Sequence, residues 1–181
     1  MIPAALPPFP AAPPLPALPE ALRAQDIALP SAGMADLPIL TELYSASRMP
    51  ELLLAPWPLA QKRAFLDEQF ALQHVHFVRT HRKGDFRLVT RAEKPVGRFY
   101  FDRNGREWGA IDLLLGVETQ GRGIGGALLA WLQQAAADAG AAGVRLSVAH
   151  DNPRAHALYR RLGFADAGDI AGTHIAMTWR P

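Results

Sequence analysis

The residues best suited to chemistry form a glycine-rich turn, Gln-Gly-Arg-Gly-Ile-Gly-Gly, at positions 120–126. An apolar, strand-like run ends before it at Gly116, and apolar residues recur at helical spacing after it. Such a turn presents free backbone N–H groups at a helix N-terminus, where the peptide dipoles add about half a positive charge. Glycines let an anion reach the backbone because they carry no Cβ. The pattern therefore predicts a pyrophosphate-type ligand.

Two well-known phosphate-binding motifs do not account for this turn. The nucleotide triphosphatase motif needs a lysine after its last glycine, and this chain has Ala127 there. The dinucleotide motif G-x-G-x-x-G does match at Gly121, Gly123 and Gly126. That fold needs further βα units, however, and only 30 of the 181 residues follow Asp151. We therefore disfavour a dinucleotide-binding fold.

A second motif lies beyond the next strand-like run. Residues 152–164 contain the pattern N-x-x-A-x-x-L-Y-x-x-L-G-F, and Gln120, Gly123 and Gly125 supply Q-x-x-G-x-G before it. With both motifs in this order, the chain resembles the GNAT superfamily of acyl-CoA-dependent N-acyltransferases. The two motifs cover about residues 111–164, and the elements before them also follow the family's order.

The resemblance implies that acetyl-CoA is the cosubstrate and that no metal takes part. In the family, the loop backbone holds the CoA pyrophosphate, the preceding strand edge pairs with the pantetheine amides, and an asparagine after the next strand contacts the cofactor. The matching positions here are Leu113, Leu114, Leu115, Gln120, Gly121, Arg122, Gly123, Ile124, Gly125, Gly126 and Asn152. Asn152 also precedes Pro153, as a helix N-cap does, and both roles are compatible.

The resemblance also assigns a general acid. Tyr159 matches the family tyrosine that lies near the thioester sulfur, where a phenol can protonate the departing thiolate. Some family members carry a glutamate base five residues before the asparagine, and this chain has Ser147 there. Asp112, flanked by apolar residues, is either an ion-paired acid or the base, and the sequence leaves both alternatives open beside a water chain.

The function implied is transfer of an acetyl group from acetyl-CoA to a primary amine, by direct attack in a ternary complex. The acceptor is a small molecule or a peptide amine, with residues 48–77 and 168–178 shaping its pocket. The alternative is a non-catalytic acyl-CoA-binding sensor or interaction module. A net charge of +2 without a dense basic run argues against nucleic acid, and no apolar run is long enough to span a membrane. We expect a cytoplasmic protein and leave a homodimer open.

These residues need a frame that positions them. The patterns predict an α+β fold: a mixed β-sheet with an antiparallel meander and a parallel pair, flanked by helices. The resemblance implies that this sheet is GNAT-like and that the parallel pair is splayed. The meander covers residues 86–115, and the parallel partner strand covers residues 144–149. Half of the chain's 16 prolines lie in residues 1–19. We therefore interpret residues 1–22 as a disordered or extended tail that buries little, and residues 23–181 as one domain.

Three histidines, His74, His76 and His81, suggest a metal site at first sight. Residues two apart on a helix point to different faces, and no cysteine or clear carboxylate partner lies nearby. We interpret the three histidines as a solvated helix end instead.

Overall fold

A mixed seven-stranded sheet forms the centre of the computed structural model, which describes residues 6–181. The strand order across the sheet is β1-β2-β3-β4-β5-β7-β6. The strands are β1 Ile27–Ala28, β2 Asp85–Arg91, β3 Lys94–Asp102, β4 Trp108–Leu115, β5 Val144–Ala149, β6 Ala165–Ile170 and β7 His174–Trp179. The mixed sheet flanked by helices confirms the predicted fold class.

Helices cover both faces of the sheet. They are α1 Glu20–Arg23, α2 Leu37–Arg48, α3 Leu59–Thr80, α4 Ile124–Asp138 and α5 Pro153–Arg161, with 3₁₀ turns at Met34–Asp36, Met49–Leu52 and Val117–Thr119. The helices α2 and α3 pack on one face around Leu40, Phe70 and Tyr100. The helices α1, α4 and α5 pack on the other face around Phe99 and Leu132. The described residues therefore form two hydrophobic clusters separated by the sheet, called here the α3-side cluster (with Leu40, Phe70 and Tyr100) and the α4-side cluster (with Phe99 and Leu132).

The predicted meander and its parallel partner are both present. Strands β2, β3 and β4 pair antiparallel in sequence order, and β4 pairs parallel with β5. The parallel pairing joins Trp108 to Val144 and Gly109 to Arg145, at the starts of the two strands. Their later residues are free to separate, so the sheet opens beside the glycine loop. Among residues 6–181, no helix is both long and apolar enough to cross a membrane.

Two elements depend on packing and pairing rather than on local pattern. Helix α3 extends to Thr80, and Phe77 and Val78 near its end pack against the α3-side cluster. The sequence pattern also does not predict β6, which follows Phe164. Every residue of β6 is exposed, so its sequence carries no alternation of apolar and polar positions. Its backbone pairing with β7 forms the strand instead.

The proline-rich residues 6–19, called here the proline segment, have no regular secondary structure but lie against the domain. Phe9 packs in the α3-side cluster, and Leu15 and Leu18 pack in the α4-side cluster. The segment therefore contacts both faces of the sheet. This differs from the expectation that the tract buries little surface.

Backbone carbonyl groups of the proline segment accept hydrogen bonds from arginine side chains of β2 and of the turn after β3. The guanidinium of Arg87 donates to the Pro13 carbonyl, and Arg103 Nη2 donates to the Pro14 carbonyl at 3.2 Å. Both arginines also bind the buried carboxylate of Asp85, at 3.0 and 2.8 Å. Proline has a backbone acceptor and no donor, which suits a surface of guanidinium groups.

Candidate active site

The glycine loop has the backbone geometry of an anion site. Gly121 and Gly123 have φ values of 74° and 78°, in the left-handed region that disfavours side chains. Helix α4 begins directly after Gly123, whose carbonyl accepts the first helical bond from Ala127 at 3.0 Å. Apart from its chain neighbours, no residue of the described part of the chain has an atom within 4 Å of the position where a Cβ on Gly123 would stand. The N-terminus of α4 is thus open to a ligand.

Side chains around the loop hold its shape and add positive charge. Gln120 Nε2 donates to the Leu115 carbonyl at 2.9 Å, and Arg122 Nε donates to the Glu118 carbonyl at 3.0 Å. These two bonds fasten the loop to the end of β4 and to the 3₁₀ turn that follows it. A guanidinium nitrogen of Arg154 lies 4.0 Å from where a Cβ on Gly121 would be. The positive charge of Arg154 and the positive end of the α4 dipole therefore both lie beside the loop.

A cavity of about 410 Å³ lies where β4 and β5 separate. Helix α3 covers one side of it, and α5 and the start of β7 complete it. Its lining residues are Gln73, His76, Phe77, Ile111, Asp112, Ser147, Val148, Ala149, Asn152, Tyr159 and His174. Helix α3 and the second motif, through Asn152 and Tyr159, thus meet around one cavity, and the glycine loop is not part of its lining.

Tyr159 reaches this cavity from α5. Its ring lies 6.1 Å from the ring of Phe164, and its backbone carbonyl accepts a bond from the Phe164 N–H at 3.0 Å. Gln133 of α4 donates to the Leu162 carbonyl at 2.9 Å, which ties α5 to α4. Burial raises the pKa of Tyr159, and the negative charge of Asp112 raises it further. The phenol therefore stays protonated and can donate.

Asn152 lies between β5 and α5, the position required both for a helix N-cap and for a contact with the cofactor. Its Oδ1 accepts from the Ala155 N–H at 3.0 Å, so it is the N-cap of α5. The same residue lines the cavity. Capping uses one acceptor of the amide and leaves its NH₂ group for a ligand.

Asp112 is ion-paired in the structure. Its Oδ2 accepts from Arg98 Nε at 2.6 Å, and Arg98 Nη2 donates to Gln73 Oε1 at 2.5 Å. The Arg98 side chain is only 3% exposed, and its guanidinium lies 5.2 Å from the centroid of the Tyr100 ring. Burial opposes the charge of Arg98, but the carboxylate of Asp112 and the two nearby tyrosines raise its pKa overall. The geometry supports the ion-paired alternative for Asp112.

Sequence reasoning missed Arg98, and it placed Gln73 and His174 only within the broad pocket ranges 48–77 and 168–178 without singling them out. Arg98 follows a glycine in an otherwise apolar strand, and an arginine inside an apolar strand is the one local signal that could have found it. Gln73 and His174 carry no such signal, because only the packing of α3 and the pairing of β7 bring them to the cavity.

The interpretation of the three histidines as a solvated helix end is wrong for one of them. His74 is only 4% exposed, and its Nε2–H donates to the Pro7 carbonyl at 2.7 Å. Its ring stacks on Phe70 and meets Phe9 edge-on. Within residues 6–181, no group of three or more metal-ligating side chains comes together.

Comparison with known proteins agrees with this geometry. The model of the acetyltransferase (GNAT) family matches residues 42–164, which is more than half of the chain. The chain belongs to the GNAT family. It is accordingly an acetyltransferase, and the resemblance read from the two motifs is confirmed. No protein among those with curated functions matches its sequence.

Solved acetyltransferases share the fold at low sequence identity. PaiA N-acetyltransferase from Thermoplasma acidophilum, in complex with coenzyme A, has a TM-score of 0.64 at 17% identity, over 86% of this chain and 99% of that one. An acetyltransferase from Thermus thermophilus has a TM-score of 0.63 at 19% identity, over 86% of this chain and 97% of that one. Spermidine N-acetyltransferase from Vibrio cholerae, in complex with CoA and spermine, has a TM-score of 0.59 at 19% identity, over 86% of this chain and 95% of that one. At these identities the comparisons establish the fold of this GNAT chain.

Proposed function

We propose that this protein transfers an acetyl group from acetyl-CoA to a primary amine, by direct attack in a ternary complex. The observation that carries the proposal is the cavity between the separated ends of β4 and β5, lined by Asn152 and the protonated phenol of Tyr159, together with the open N-terminus of α4, which follows β4 along the chain. The residues present fit a bound acyl-CoA, because Gly121 and Gly123 have positive φ and the space where a Cβ on Gly123 would stand is open.

The protein supplies binding groups and protons. The backbone of residues 120–126 and Arg154 would hold the pyrophosphate. The edge of β4 at Leu113–Leu115 would bind the pantetheine, and Asn152 would contact the cofactor where β4 and β5 separate. Acetyl-CoA supplies an acyl thioester: its C–S bond breaks as the amine nitrogen forms the C–N bond, and of the two protons the ammonium loses, one ends on the CoA thiol and one in solvent. Tyr159 gives its hydroxyl proton to the leaving sulfur and regains one from the nitrogen.

The charge of the cavity indicates the class of acceptor. Among the described residues that line it, Asp112 is the one carboxylate, and Arg98 already neutralises that charge. A polyamine needs several acidic partners for its ammonium groups, since an unpaired charge is costly to desolvate. We propose that the acceptor carries one amine on a compact body, as a small molecule or a peptide end.

The experiment is an assay of CoA thiol release from acetyl-CoA across a panel of amines. The panel contains monoamines, an amino acid amide, a lysine peptide and spermidine, with acetyl-CoA alone as the blank. We expect release with a monoamine and a weaker response with spermidine. Binding of acetyl-CoA without release from any amine would contradict the proposal and favour a sensor.

A further inference from the structure

A primary amine is almost entirely protonated at neutral pH and must lose a proton before it attacks. The position at which some GNAT members carry a glutamate base holds Ser147, whose hydroxyl is not a base. The cavity does contain two imidazoles, those of His76 on α3 and His174 on β7. Imidazole is the side chain that most often serves as a general base near neutral pH.

The register of β5 and β7 places His174 near Ser147, which occupies the position of the family glutamate. His174 pairs with Ala149, and Ala176 pairs with Ser147, in an antiparallel ladder. Side chains of paired residues project from the same face, so His174 and Ser147 share the face that α3 covers. Diagonal neighbours in such a ladder have Cβ atoms roughly 7 Å apart, a gap that an imidazole spans. The intervening Ala149 and Ala176 leave that space open.

The Thr173 hydroxyl is a hydrogen-bond partner of His174: it lies 3.3 Å from the Ile170 carbonyl and 3.0 Å from His174 Nδ1. If the hydroxyl donates its single proton to the Ile170 carbonyl, its oxygen accepts from Nδ1–H; if it donates to Nδ1, the ring carries its proton on Nε2. We assign the first arrangement, in which Nε2 of the neutral ring is unprotonated and able to take a proton. His76 packs against the ring of Phe77 instead, with a centroid distance of 5.9 Å.

We propose that His174 is the general base that deprotonates the acceptor amine, in place of the glutamate missing at Ser147. The inference rests on the proposed function and adds the residue that deprotonates the amine at the start of the reaction. The N–H bond of the ammonium breaks and an Nε2–H bond forms, and the resulting imidazolium later releases its proton to solvent. The other charged or titratable groups at the cavity are His76 on α3, Arg98 and Asp112 on β3 and β4, and Tyr159 on α5.

The kinetic test uses the best monoamine of the panel and the full chain. His174→Gln should lower kcat/KM by about 10²-fold or more at pH 7.5 and remove the acidic limb of the pH–rate profile, because the base no longer titrates. His150→Gln is the matched control, since His150 is exposed, is bonded to Asp169 at 2.6 Å and does not line the cavity. Its rate and profile should match the wild type. The double variant with Ser147→Glu and His174→Gln should have a kcat/KM at least tenfold higher than that of His174→Gln alone.

Three kinetic results would overturn the proposal: a normal rate in His174→Gln, an acidic limb that survives in it, or a limb removed by Asp112→Asn or His76→Gln instead. A second measurement does not depend on finding an acceptor. Nitrogen-15 NMR of the imidazoles, assigned with the His174→Gln variant, should show His174 protonated at Nδ1, and Thr173→Val should reduce that preference. A ring protonated mainly at Nε2 would refute the assignment of His174. If the panel yields no acetylated amine, the proposed function fails, while this NMR result still decides the tautomer.

Discussion

At the scale of single residues, Tyr159 bears the most direct test of catalysis. Tyr159→Phe should lower kcat by roughly 10²-fold or more, the usual size of a general-acid contribution, because the leaving thiolate loses its positioned proton donor. Binding of acetyl-CoA should change little, since the phenyl ring keeps its packing beside Phe164. Steady-state kinetics and a binding titration on the same preparation separate the two effects. Full turnover would mean that solvent protonates the thiolate and that our assignment of Tyr159 is wrong.

A second residue-scale prediction concerns stability in acid. Burial lowers the pKa of His74, the hydrogen bond to Pro7 opposes that shift, and the charge of Arg98 adds to it. The folded state therefore binds this proton less readily than the unfolded state. The stability that neutral His74 supplies is fully present above the ordinary histidine pKa of about 6.5, and it is lost as the pH falls below that value.

The measurement is the melting temperature at pH 7.5 and pH 5.5. His74→Gln keeps an N–H donor for Pro7 but cannot titrate, so it should lose less melting temperature in acid than the wild type does. His76→Gln, two positions along the same helix at an exposed ring, should keep the wild-type dependence. Equal acid losses in wild type and His74→Gln would show that other groups control the response.

At the scale of elements, the prediction concerns the junction of the glycine loop and α4. Gly123→Val should abolish acetyl-CoA binding, because a branched side chain fills the space in which the backbone meets the pyrophosphate. Gly140→Val is the matched control: Gly140 has φ +72°, compared with +78° for Gly123, and both would-be Cβ positions are open. Both variants therefore carry similar backbone strain, but Gly140 lies at the far end of α4. Loss of binding in both would show that strain, not access, is responsible.

The elements also show what the sequence could predict. The loop, Asn152 and Tyr159 belong to two local patterns; the structure places Asn152 and Tyr159 at the cavity and the loop at the N-terminus of α4. The ion pair between Arg98 and Asp112 joins two strands, and His174 reaches the cavity through its pairing with Ala149. Such partners depend on register and packing over long stretches of chain. Local periodicity contains no information on them, which is why Asp112 had two open alternatives.

At the scale of the whole molecule, the proline segment connects the two faces of the sheet. Deleting residues 1–19 should lower the melting temperature, since Phe9, Leu15 and Leu18 leave both hydrophobic clusters. Phe9→Ala alone should cost up to about 3 kcal/mol, and a chain of this size loses roughly 2–4 °C per kcal/mol. Pro8→Ala, at an exposed ring of the same segment, should have little effect. An unchanged melting temperature in the deletion would mean that the segment does not pack on the domain in solution.

Ligand binding gives a test of the molecule as a whole, because only the folded chain brings the loop, β4 and α5 together. A ligand at 100 times its dissociation constant adds about 2.7 kcal/mol of stability, which corresponds to a rise of roughly 5–10 °C in the melting temperature. We expect this rise with acetyl-CoA, and we expect Gly123→Val to eliminate it. NADH should produce none, because the sheet lacks the further βα units of a dinucleotide-binding fold. A rise with NADH and none with acetyl-CoA would reverse our choice between the two interpretations of the glycine loop.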